Sequence, residues 1–82
     1  MTKIGFPLDQ VRKGSQVIIV ELPQDKHQAK LIRLGLHKGQ TIKCLEKLPG
    51  GTIIIQKSRQ EIALGVSLAR TILVAYTHTE HR

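Results

Sequence analysis

The side chains that could do acid–base or nucleophilic chemistry in this 82-residue sequence are few and lie far apart. Catalysis needs an acid, a base or a nucleophile grouped in one place, and the sequence contains neither a Gly-x-Ser-x-Gly motif nor a phosphate-binding glycine loop. The acidic residues are scattered: Asp9, Glu21, Asp25, Glu46, Glu61 and Glu80. We therefore predict no catalytic residue, no cofactor and no enzymatic activity.

The densest group of metal-ligating side chains is near the carboxyl terminus. His78, Glu80 and His81 place three donors within four residues. Such a local set lacks the convergent geometry of a built metal site, so a solvated tail is the competing interpretation. Cys44 alternates with Ile42 in a strand pattern, which predicts a small buried hydrophobic side chain rather than a ligand. A transition-metal-binding module is kept as an alternative function, and no metal site is assigned.

The charge balance favours an acidic partner, because the net charge is +7 and the isoelectric point is about 10.1. Lys26, Lys30 and Arg33 recur at i, i+4 and i+7, which places them on one helix face. This stripe is either a solvated face or a docking surface for an acidic protein or membrane-proximal domain. Readers of single-stranded nucleic acid stack bases on aromatic side chains, and Phe6 and Tyr76 alone make a poor platform. Binding of RNA or DNA by a small basic barrel is therefore kept only as the alternative function.

The basic helix is predicted to end in a turn that contains two glycines. Leu31 and Leu34 lie three residues apart on the apolar face of the helix. Gly35 stands where a C-cap glycine adopts the left-handed conformation, and Gly39 opens a turn before the next strand. The pattern predicts a helix over about 25–34, whose first residue, an aspartate, is its N-cap.

Short β-branched stretches bounded by glycine and proline predict five strands. They cover residues 16–22, 40–48, 52–57, 61–64 and 72–76. Pro49, Gly50 and Gly51 predict a hairpin turn, and a short helical turn is predicted over about 67–71. Because closure removes exposed strand edges, the fold class predicted is mainly β, a small five-stranded barrel with one inserted α-helix.

The chain is predicted to form one domain over residues 1–76, followed by a polar, frayed tail over 77–82. The single cysteine, Cys44, excludes an internal disulfide. The first residues contain no long apolar run, which predicts neither a signal peptide nor a membrane span. We expect a cytoplasmic protein.

Residues 30–39 resemble the basic-Leu-x-x-Leu-Gly-Leu/Met-x-Pro-Gly signature of the FeoA family, small cytoplasmic SH3-like proteins of bacterial ferrous-iron transport. Residues 49–51 are similar to the Pro-x-Gly hairpin of that family, and residues 62–74 follow its closing Val-Ala-Leu, Ala, Ile-x-Val pattern. The sequence departs from the family pattern at Arg33, where an acidic or polar residue is common, and at Lys38, where proline is usual.

The resemblance implies an SH3-like barrel and an accessory role, in which the protein docks on the cytoplasmic part of a FeoB-type membrane GTPase and modulates it. With the charge pattern, it predicts these partner contacts: Lys26, Lys30, Arg33, His37 and Lys38. Structural roles are predicted for Leu31, Leu34, Gly35, Gly39, Pro49, Gly50 and Gly51. Contact with the membrane surface and weak self-association are further partner hypotheses. A related SH3-like domain ends the metal-dependent repressors, but their DNA-binding and metal-site domains have no counterpart here, so a stand-alone repressor is not expected.

Overall fold

A computed structural model describes residues 5–77 as one antiparallel sheet with short helices. The strands are β1 Phe6–Pro7, β2 Gln16–Glu21, β3 Thr41–Lys47, β4 Ile53–Lys57, β5 Gln60–Leu64 and β6 Leu73–Tyr76. The helices are α1 His27–Arg33 and α2 Val66–Ala69, and a 3-10 turn covers Leu8–Gln10. The spatial order of the strands is β1-β6-β2-β3-β4-β5. The predicted mainly β fold with one inserted helix is confirmed.

The sheet contains one strand more than the five predicted. β1 is only two residues long and pairs with β6, with Phe6 opposite Val74 and Pro7 opposite Leu73. A proline cannot donate a ladder hydrogen bond, so it is tolerated in a strand only at an edge or a strand start. The two-residue length and the proline removed the local strand signal, and the pairing partner lies at the other end of the chain.

The core is aliphatic and follows the alternation of the strands. In β2 to β5, every second side chain points inward, so that Ile42 and Cys44 are buried in β3 while Thr41 and Lys43 are exposed. The buried hydrophobic residues are Leu8, Val11, Val17, Ile19, Leu31, Leu36, Ile42, Cys44, Ile53, Ile55, Ile62, Leu64, Ala69, Ile72 and Val74. Cys44 is therefore a core side chain, as its strand position predicts.

The start of α1 is held by two polar contacts. Asp25 does not occupy the N-cap position, which belongs to Lys26, and α1 is shorter than the predicted 25–34. The Asp25 Oδ1 atom still accepts a hydrogen bond from the His27 backbone N–H at 2.9 Å. His27 is the first residue of α1, whereas an N-cap side chain accepts from the second or third helical residue. Gln28 Nε2 donates to the Pro23 carbonyl at 3.0 Å, which ties the first turn of α1 to the loop after β2.

The end of α1 has the predicted glycine cap. Gly35 has φ +87°, its N–H donates to the Ile32 carbonyl at 2.9 Å, and the Leu36 N–H donates to the Leu31 carbonyl at 3.1 Å. These two bonds form a Schellman motif, which folds Leu36 back into the core. Gly39 has φ +88° and donates its N–H to the Ile19 carbonyl at 2.7 Å, so the following turn is attached to β2.

The turn at residues 49–51 closes the β3–β4 hairpin. The Leu48 N–H donates to the Thr52 carbonyl at 2.8 Å, and both glycines have positive φ, +94° at Gly50 and +100° at Gly51. Gly51 lies directly beneath α2, since a Cβ atom on it would be 2.7 Å from the Val66 Cβ. Within residues 5–77, no helix has the length and apolar character needed to cross a membrane.

Candidate interaction surface on helix α1

The outer face of α1 carries the predicted basic stripe. The inner face is fixed by Leu31, which has no exposed surface, while Lys26, Lys30 and Arg33 are exposed. Residues three and four apart on a helix are surface neighbours, so each of these cations adjoins another. Within residues 5–77 the ion pairs involve other lysines, so these three charges are uncompensated.

An exposed isoleucine lies on the same face. Ile32 keeps 57% of its surface accessible, more than Leu48, at 41%, which is the other exposed large hydrophobic residue between residues 5 and 77. With about 100° between successive helix residues, the exposed Ala29 lies between Ile32 and Arg33 around the helix axis. This small apolar strip is not among the features predicted from the sequence. A helical wheel centred on the buried Leu31 would have found it, because Ile32 falls outside the inner face.

The turn after α1 continues the basic surface, but its side chains have polar contacts within the fold. Both His37 and Lys38 are exposed, as expected for residues in a turn. The Lys38 Nζ atom lies 3.7 Å from Glu21 Oε1 at the end of β2, so part of its charge is compensated. The His37 N–H donates to Gln40 Oε1 at 3.4 Å, and His37 Nδ1 lies 3.2 Å from the Lys38 carbonyl oxygen. His37 and Lys38 therefore have polar contacts within the fold, whereas the cations of α1 have no ion pair among the described residues.

One further cation reaches this surface from β4. A Cβ atom on Gly35 would lie 3.1 Å from both Cε and Nζ of Lys57, so the lysine side chain passes over the glycine. This position places the ammonium group beside the carboxyl end of α1, where the helix dipole favours positive charge. No sequence pattern indicates this position of Lys57, because its approach to Gly35 depends on how β4 and α1 pack together.

The aromatic side chains are packed against each other. The rings of Phe6 and Tyr76 have their centroids 4.9 Å apart, and the Arg12 guanidinium lies 4.6 Å from the Tyr76 centroid. Tyr76 Oη also accepts a hydrogen bond from the Arg12 backbone N–H at 3.1 Å. Since stacking of nucleic-acid bases needs open ring faces, this arrangement gives little support to the nucleic-acid alternative.

The chemistry-bearing residues do not form a metal or catalytic centre in the part of the chain that is described. No group of three or more His, Cys, Asp or Glu side chains within residues 5–77 could hold a metal ion. Burial raises the pKa of the Cys44 thiol, because a thiolate there would lose its hydration. His27 is half-buried on the inner side of α1. His78, Glu80 and His81 lie outside the described residues, so the tail metal site stays a prediction.

The sequence matches the model of a known family, the FeoA domain, over residues 6–76. The chain belongs to the FeoA domain family. This membership associates it with ferrous-iron transport and with a family of non-enzymatic accessory domains. A comparison with curated proteins gives no match.

Two solved structures that are similar to this chain are also FeoA or FeoA-like proteins. The crystal structure of an iron uptake regulatory protein (FeoA) has 32% sequence identity and a TM-score of 0.78, over 92% of this chain and 100% of the other. The NMR structure of a FeoA-like protein from Clostridium acetobutylicum has 30% identity and a TM-score of 0.81, with both chains covered completely.

A more distant similarity concerns the fold alone. ScaR, a manganese-activated repressor solved with bound Zn²⁺, has a TM-score of 0.85 to this chain at 21% identity. The match covers 94% of this chain but 40% of ScaR. The predicted SH3-like fold is thereby confirmed.

Proposed function

We propose that this FeoA-domain protein is a non-enzymatic cytoplasmic accessory protein that docks through α1 on the cytoplasmic part of a FeoB-type membrane GTPase and modulates that transporter. The observation that carries the proposal is the charge of Lys26, Lys30 and Arg33 on one exposed helix face, which no ion pair within residues 5–77 compensates. The FeoA family resemblance suggests which protein the partner is. The basic face requires that the contacted surface of that partner be acidic.

The basic face would act mainly on the rate of association. A single exposed charge contributes little binding free energy, but a cluster of charges of one sign steers an oppositely charged partner and raises the association rate. Because this steering is screened by salt, binding should weaken as the ionic strength rises above that of a dilute buffer. Lys57 adds to the same field at the carboxyl end of α1, and Lys38 contributes less because of its contact with Glu21.

Charge reversal on α1 tests the proposed docking surface. We expect the double variant Lys30→Glu/Arg33→Glu to bind the cytoplasmic part of the transporter about tenfold or more weakly than the wild type, mainly through a slower association rate. The matched control is Lys47→Glu/Arg70→Glu, which makes the same change in net charge at exposed positions outside α1. The measurement is surface plasmon resonance at several salt concentrations.

The control decides between a local surface and the overall charge. Equal losses in the two double variants would show that binding depends only on net charge, and an unchanged affinity of the α1 variant would place the docking surface elsewhere. The proposed modulation is measured separately, as the rate of GTP hydrolysis by the transporter with and without this protein.

A further inference from the structure

The exposed Ile32 lacks an explanation in the fold itself. It keeps 57% of its surface accessible, although the neighbouring Leu31 shows that α1 has a fully buried side for apolar residues. A single exposed isoleucine is ordinary on a protein surface. Here, however, it adjoins the exposed Ala29, whose small side chain leaves the helix backbone open to close approach. Together they make a narrow apolar strip on the outer face of α1.

The cations lie along one side of this strip, so that an apolar patch and a charged patch adjoin each other at Ala29. Arg33 and Lys26 border Ala29 on the side opposite Ile32, and Lys30 continues the basic stripe. Interfaces commonly combine an apolar centre, which is desolvated in the complex, with a polar or charged rim that stays partly hydrated. The acidic residue nearest to α1 in the chain, Asp25, is already engaged by the His27 N–H.

We propose that Ile32 is the apolar anchor of the docking surface and inserts into an apolar pocket of a protein partner, one side of which carries acidic side chains that meet Arg33 and Lys26. This inference rests on the proposed function and specifies the chemistry of its partner. The strip by itself would accept any apolar surface, so the charges beside it decide the class of partner.

Other occupants fit this face less well. A second copy of the chain would bring the same uncompensated cations against these ones, which is unfavourable for a twofold contact through α1. A lipid surface would receive only a seven-residue helix with one large exposed apolar side chain, whereas interfacial helices bury a broad apolar face.

Truncation of the anchor tests the proposal. We expect Ile32→Ala to weaken binding to the cytoplasmic part of the FeoB-type transporter by about tenfold or more, as for a hot-spot residue. The salt dependence of the dissociation constant should stay that of the wild type, because no charge changes. The matched control is Leu48→Ala, which truncates an exposed large aliphatic residue away from α1, at the β3–β4 hairpin. Ile32→Met, which keeps an apolar side chain of similar volume, should restore most of the affinity.

The variants should fold, because Ile32 is exposed and alanine has the higher helix propensity. If the wild type does not bind the transporter, both the proposed function and the anchor are overturned. If the wild type binds but Ile32→Ala and Leu48→Ala behave alike, only the anchor is overturned. Two other results would also overturn the acidic protein pocket: binding of the wild type to phosphatidylserine vesicles that Ile32→Ala abolishes, or a wild-type dimer in sedimentation that this variant dissociates.

Discussion

The buried thiol of Cys44 shows how the surroundings of a residue decide its chemistry. Its side chain has no exposed surface, and the Sγ atom lies 3.9 Å from the Glu46 carbonyl oxygen. Burial raises the pKa of the thiol because the thiolate would be poorly solvated among aliphatic side chains. A protonated, inaccessible thiol is neither a nucleophile nor a good metal ligand. In the folded protein Cys44 is therefore a packing residue.

The raised pKa predicts a loss of stability at alkaline pH. The folded state holds the thiol proton that the unfolded state releases above about pH 8.5, so the stabilisation is present below that pH and is lost as the pH rises toward the higher folded pKa. We expect the free energy of unfolding of the wild type to fall more steeply between pH 8 and 10 than that of Cys44→Ala, by at most about 1.4 kcal/mol per pH unit. Urea unfolding at a series of pH values measures both slopes.

A second titrating group has to be kept apart from this effect. The Glu46 carboxylate, 2.8 Å from the Lys13 Nζ atom, raises the pKa of that lysine, so its contribution is also lost as the pH rises. That loss begins only above about pH 10.4, the ordinary pKa of lysine, and lies outside the proposed range. Parallel slopes for wild type and Cys44→Ala below pH 10 would contradict the assignment to the thiol.

At the scale of elements, two adjacent glycines in the β3–β4 turn have the same backbone requirement but different surroundings. Gly50 and Gly51 both have positive φ, which L side chains rarely adopt. No atom lies within 4 Å of a Cβ built on Gly50, whereas one built on Gly51 would be 2.7 Å from the Val66 Cβ and 3.0 Å from its Cγ2. Gly51 thus serves the turn and also lets α2 pack against the hairpin.

Alanine substitutions separate these two roles. We expect Gly50→Ala to lower the free energy of unfolding by about 1 kcal/mol, from the left-handed conformation alone. Gly51→Ala should lower the free energy of unfolding by about 1–3 kcal/mol more, because the nearest atom is the Val66 Cβ, which is attached to the backbone and cannot rotate aside. Chemical denaturation of both variants gives the comparison.

A double variant checks the steric origin of this difference. In the background of Gly51→Ala, the further change Val66→Gly removes the Cβ atom that would lie 2.7 Å away, together with its methyl groups, and should recover part of the lost stability. Equal costs for the two glycine substitutions, or no coupling between Gly51 and Val66, would show that the packing of α2 on the turn is unimportant for stability.

At the scale of the whole molecule, the two ends of the described chain are joined. β1 pairs with β6, and Phe6 packs on Tyr76 at 4.9 Å between ring centroids. Arg12 contacts the same tyrosine through its guanidinium and its backbone N–H. These contacts connect the segment before β2 to the last strand, which lies between β1 and β2 in the sheet.

This connection predicts an energetic coupling between the ends. In a double-mutant cycle with Phe6→Ala and Tyr76→Ala, we expect an interaction free energy of about 0.5–1.5 kcal/mol, the usual range for an aromatic pair. The separate variant Tyr76→Phe keeps the ring and removes only the acceptor of the Arg12 N–H. Tyr76→Phe should therefore lower the free energy of unfolding by less than Tyr76→Ala does. Additive effects of the two alanine substitutions would mean that the ring contact contributes nothing to stability.

The predictable part of the fold consists of features encoded over a few neighbouring residues. The alternation around Ile42 and Cys44, the glycine cap at Gly35 and the turn at residues 49–51 each depend on local sequence, and the structure has all three. The helix start at Asp25 was misplaced by one position, since a carboxylate can accept a backbone N–H from just before the N-cap as well as from it. The basic stripe of α1 was also predictable from spacing alone.

The amino-acid sequence by itself determined five of the six strands, the helix α1 and the basic stripe on it, because side-chain periodicity and backbone preferences act within single elements. Only the tertiary structure decided which residues join that stripe. It placed Lys57 over Gly35, set Glu21 beside Lys38, paired β1 with β6 and packed Val66 on Gly51. These contacts unite residues far apart in the chain, and their geometry follows from the sheet order and the packing of helices on it, which no local pattern contains.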